Sequence, residues 1–165
     1  MSRRGGISVV RIGIIAGLVG LLLIVVGLAS FFVDQASRRG PFEVAVHPEA
    51  EEWGIGNVTP TSRSVFYRVP GRQPEEVAAF YQQKMNEHYG DRVENCVRIP
   101  PSGELIVRPD IPNAIPYQFI CMFDRSGFNA TQFTRVIIYP GIYDPDPFLN
   151  AQGMTVIEYE QVWQP

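Results

Sequence analysis

Catalysis and metal binding require side chains that ionise, attack or ligate at workable spacings, and this sequence offers few of them. Histidine occurs twice, at His47 and His88, and neither has a companion at ligand spacing, so both are expected on the surface. Asp144 and Asp146 alternate in "YDPDPF". Alternating acids open calcium loops, but those need several further oxygen ligands. With Pro145 and Pro147 fixing the backbone, a rigid solvated loop is expected here instead. Glu158 and Glu160 share one side of an extended run, a carboxylate pair with no cleft to serve. The only cysteines are Cys96 and Cys121. Either they form a disulfide closing a loop of about 25 residues, worth about 3 kcal/mol, or they are two buried thiols. Haem-attachment, phosphate-loop, dinucleotide and nucleophile-elbow motifs do not occur. The expectation is a chain with no catalytic, cofactor-binding or metal-ligating residues and no cofactor, hence no enzyme.

The strongest signal is physical rather than chemical. Residues 12–33, "IGIIAGLVGLLLIVVGLASFFV", carry no charge. At about 1.5 Å per helical residue they reach roughly 33 Å, enough for a ~30 Å hydrocarbon core. A cleaved signal has a shorter apolar region of ~7–15 residues, so an uncleaved transmembrane helix is expected. Arg3, Arg4 and Arg11 precede it without an acid, whereas the charges just after it balance. This bias places the N-terminus (residues 1–11) in the cytoplasm and the rest outside. Gly13, Ala16, Gly17, Gly20 and Gly27 share one helix face, with Gly13 and Gly17 forming a G-x-x-x-G. Small residues there admit a second backbone, and this stripe is the expected helix-packing interface.

Residues 34–165 hold 11 basic and 17 acidic side chains, a net charge of −6, which excludes nucleic acid as a partner. Every proline follows residue 40, favouring strands and turns. Residues 34–62 read as a tether with one short strand at 42–46, and 63–165 as a single extracytoplasmic domain. Within it, 64–69 is a strand by its β-branched and aromatic content. "PEEVAAFYQQKMNEHYG" is a helix, with Pro74 first, Glu75 and Glu76 at the positive end, Gly90 last, and Val77, Tyr81 and Met85 on one face. Strands are expected at 93–99, 104–107, 117–123, 132–139 and 155–163, with "DRSG" turning between the third and fourth of these. Ile157, Tyr159 and Trp163 alternate with Glu158 and Glu160, as in a half-buried antiparallel sheet. The expected fold is one transmembrane α-helix plus a small α+β domain, one helix packed on an antiparallel β-sheet.

The segment "VPGRQPEEVAAFYQQKM" (69–85) resembles the strand–turn–helix opening of small, membrane-anchored bacterial envelope domains. Pro74 directly before Glu75 and Glu76 departs from that pattern, and the resemblance carries over no functional residue. Ile142, Tyr143, Phe148 and Leu149 crowd a proline-stiffened loop that cannot bury all of them, and they are the expected partner-contact loop. Three functions compete: an accessory subunit of a membrane complex, a membrane-anchored binding or sensor domain, and a tethered enzyme. The glycine stripe and the lack of a catalytic set favour the first. The expected partners are other membrane subunits, reached through the helix and the outside domain, and the bilayer. A bacterial electron-transport complex is the expected host, with the domain in the periplasm.

Overall fold

The computed structural model describes residues 9–90, 92, 94–108, 110–111, 114–127 and 130–164. The chain divides into a helical unit ending at Ser37 and a domain beginning at Arg38. The helix α1, Val9–Ser37, is 29 residues long, longer at both ends than the uncharged run. It is apolar on every side and buries none of its residues, and it is long and apolar enough to cross a membrane. Ser37 Oγ donates to Asp34 O at 2.7 Å, satisfying a carbonyl in its last turn. Most of the expected cytoplasmic segment, residues 1–8, lies outside the described residues.

The domain is one helix on a six-stranded sheet. Its strands are β1 (Glu51–Thr59), β2 (Ser62–Pro70), β3 (Val97–Ile99), β4 (Gln118–Asp124), β5 (Thr131–Pro140) and β6 (Met154–Gln164). The spatial order is β1-β2-β6-β5-β4-β3, and every neighbouring pair is antiparallel. Helix α2, Pro74–Tyr89, starts at Pro74 and stops at Gly90, whose positive φ of 61° an L side chain rarely adopts. Its Val77, Ala78, Tyr81 and Met85 pack on Cys121, Phe123, Val136, Ile138, Ile157 and Tyr159 to form the core. The β4–β5 hairpin turns through the "DRSG" segment, where Gly127 and Ala130 bond each other's backbones.

Two expectations need correction. Residues 34–62 are only nominally a tether: Glu51–Thr59 is the edge strand of the sheet, bulged at two places. Its two glycines and two glutamates hid it, since each disfavours strand assignment. Residues 42–46 form no strand, yet they are not free. The segment crosses the helix-side face of the sheet as a strap, and inward polar side chains bond its carbonyls. Gln132 Nε2 donates to Gly40 O at 2.8 Å, Gln161 Nε2 to Phe42 O at 2.8 Å, and Thr134 Oγ1 also to Phe42 O. Buried irregular backbone needs partners, and side chains here replace a strand ladder. The other correction is 104–107, which forms no strand. Among the described residues only Ile106 N–H reaches across, to Pro116 O at 2.7 Å, because flanking prolines break any longer ladder.

Candidate interaction surface

The sheet has two unlike ends. At one, the chain enters the domain at Arg38, whose guanidinium donates to the carbonyl of Arg125 in the β4–β5 turn. From that end β5 runs ten residues, roughly 30 Å at ~3.3 Å each, to Pro140. Beyond Pro140 lies the 141–153 loop, and beside it the long 100–117 connection between β3 and β4. Large apolar side chains concentrate here. Phe148 is 84 % exposed and Val107 82 %, and Leu105, Ile111, Tyr143 and Leu149 are also exposed. Monomeric soluble domains rarely leave so many together uncovered.

The 141–153 loop is held in shape rather than loose. Asp146 N–H donates to Asp144 Oδ1 at 2.8 Å, and Phe148 N–H to Asp146 Oδ1 at 2.9 Å. These aspartates thus serve the loop's own backbone, as Asx turns do. At its base a Cβ on Gly141 would stand 1.9 Å from Ala151 O, so only glycine lets the two stems close. Of the four residues expected to meet a partner, Tyr143, Phe148 and Leu149 are exposed. Ile142 instead turns toward the 100–117 connection, sharing an apolar depression of about 360 Å³ with Ile106, Ile111, Ala114 and Ile115.

Leu149 borders a second depression, of about 340 Å³, with Trp53, Ile55, Phe66 and Tyr139. Trp53 Nε1 donates to Phe148 O at 2.7 Å, tying the loop to the edge strand. Arg68 stacks on the Trp53 ring at 5.1 Å. This groove escaped sequence reasoning because β1 did. The isolated Trp53 was its one visible signal, consistent with either domain packing or a membrane-interface position.

The remaining titratable groups serve the fold. Cys96 and Cys121 are joined by a disulfide, Cα to Cα 4.2 Å, which fastens the start of the short edge strand β3 to β4. Tyr81 and Tyr159 bond through their hydroxyls at 2.7 Å, Tyr159 donates onward to Ala45 O at 3.1 Å, and His47 N–H donates to Tyr81 Oη at 3.2 Å. Burial drives the Tyr81 phenol up to about 12, and that of Tyr159 also upward, so both stay neutral donors. His47 packs edge-on to Phe80, and desolvation lowers its pKa. His88 lies against Phe42, Tyr89 and Phe123. Glu160 pairs with Arg135, while burial, then Glu160, raises the pKa of Glu158. Among the described residues no group of three or more His, Cys, Asp and Glu is placed to hold a metal ion.

On α1, a Cβ added at Gly13, Gly17, Gly20 or Gly27 would meet nothing within 4 Å, and the helix buries none of its residues, Ala16 included. Compared with known proteins, the chain matches no family model, no curated protein and no solved structure.

Proposed function

We propose that this chain is a non-catalytic, single-span accessory subunit of a larger bacterial membrane complex, with its N-terminus in the cytoplasm and its domain in the periplasm. The observation that carries the reading is the band of exposed apolar side chains around Phe148 and Val107, at the end of the domain remote from Arg38. A rigid, proline-stiffened loop loses little entropy on docking, which suits a permanent protein contact. The uncovered glycine stripe supplies a second surface, suited to close helix packing within the membrane. An electron-transport complex is the host to search first.

The test is gentle detergent extraction of native membranes followed by native-gel analysis. Gly17→Leu with Gly20→Leu overfills the stripe, and Phe148→Asp places a charge in the apolar band. Each variant should stay in the membrane yet leave the complex, whereas Leu22→Ala with Val26→Ala should co-migrate normally. Co-migration of all three variants would overturn the accessory-subunit reading. A reporter active only in the periplasm, fused after Pro165, tests the orientation. A second reading, a membrane-anchored binding or sensor domain, is favoured by the groove beside β1.

A further inference from the structure

The groove has a chemistry of its own, independent of docking in a complex. Its walls are Trp53, Ile55, Phe66, Tyr139 and Leu149, almost wholly apolar, and about 340 Å³ lies between them. That is the low end of the ~300–1,000 Å³ of small-molecule sites. One cation stands against the Trp53 wall, on the strand that carries Phe66. Arg68 stacks on Trp53, its Nε is buried without a hydrogen-bond partner, and among the described residues no carboxylate pairs with it. Two carboxylates lie near. Glu51 is opposite Arg68 across β1 and β2 but forms no ion pair with it, and Glu158 is opposite Phe66 and hydrogen-bonded to Ser64. A guanidinium stacked on an aromatic wall and lacking a carboxylate partner is complemented by an anionic head on an apolar body.

We propose that this groove binds a single-chain amphiphile with a carboxylate head, the chain lying along Trp53, Phe66, Tyr139 and Leu149 and the head bonded to Arg68. The carboxylate takes the place of water at Arg68, and the chain removes the exposed walls of the groove from solvent. Size favours one medium-length chain over a two-chain lipid.

The test uses the full chain in nanodiscs of zwitterionic lipid, in a Trp163→Phe background that leaves Trp53 as the only tryptophan. Decanoate, decanol and decyltrimethylammonium are titrated while Trp53 fluorescence is followed. Partition into the nanodisc is common to every variant, so differences between variants report the site. Decanoate should give a saturable change, weakened about ten-fold or more by Arg68→Gln. Leu149→Asp, with unchanged far-ultraviolet circular dichroism, should abolish it. No saturable change overturns the proposal, as does equal decanoate affinity in Arg68→Gln or a preference for the cationic amphiphile. Saturation by decanol as tight as by decanoate also overturns it, and marks the groove as a socket for a partner's apolar side chain. None of these outcomes alters the test of the accessory-subunit reading, which is read in native membranes.

Discussion

The two faces of the sheet are built from the same six strands and treat their side chains in opposite ways. Toward α2, Val136, Ile138 and Ile157 are fully buried, and the polar residues among them, Gln132, Thr134, Tyr159 and Gln161, are bonded to the strap or to each other. On the other face Phe66 and Tyr139 border an open groove, Arg135 pairs with Glu160, and Arg68 has no carboxylate partner among the described residues. One face is closed by the chain itself, and its buried polar side chains bond the strap or one another. The other is left with apolar and charged groups that the described residues do not cover. Stability is therefore concentrated on the helix side, and the proposed recognition on the groove side and at its loop-bearing end.

That contrast can be broken from the covered side first. Ile157→Ala should cost about 2–5 kcal/mol, because the packed face cannot collapse around the missing atoms. Denaturant unfolding measures it, and a loss under ~1 kcal/mol would mean the core is far looser than the burial of Ile157 indicates. Replacing Cys96 and Cys121 together with serine should cost about 3 kcal/mol by the loop-entropy relation. Alkylation of denatured, unreduced protein should find no free thiol, and two modified cysteines would remove the bridge from the account.

Tyr159→Phe deletes one hydroxyl, leaving Tyr81 Oη with only its bond from His47 N–H and the strap carbonyl of Ala45 without its donor. The expected cost is about 1–3 kcal/mol, the desolvation penalty of buried groups left unmade. A neutral result would show that the strap is held by its apolar side chains alone. On the exposed side, Phe148→Asp should change unfolding free energy by no more than about 0.5 kcal/mol. A larger loss would assign Phe148 to the fold instead of to recognition.

The smallest effect is electrostatic. Burial raises the pKa of Glu158 above the 4.5 of a free glutamate, so the folded state holds its proton more tightly than the unfolded chain does. This group's contribution is greatest below pH ~4.5 and is lost as pH rises through the folded-state value. Glu158→Gln should therefore match wild type in melting temperature at pH 3.5–4 and exceed it slightly at neutral pH. A difference independent of pH would place the effect of that substitution in packing rather than titration.

The long apolar helix and α2 were legible because each is written in contiguous residues. Length and apolarity make residues 12–33 a helix wherever water is absent, and Pro74, Glu75, Glu76 and Gly90 mark the ends of α2 without outside help. The alternation of Ile157, Glu158, Tyr159 and Glu160 likewise declares which side of β6 is buried. The exposed apolar loop was visible for a related reason, since Tyr143, Phe148 and Leu149 are too many apolar residues for one loop to hide. The groove and strap were not legible. Trp53, Phe66, Tyr139 and Leu149 come from four separate parts of the chain and meet only once β1, β2, β5 and the 141–153 loop are assembled. Residues 40–45 carry no pattern of their own, because the side chains that bond their carbonyls lie some ninety or more residues away. Local periodicity and capping operate within a few residues and can be read along the chain. Strap, disulfide and groove depend on which distant strands become neighbours, and that is settled by burying one face of the sheet as a whole.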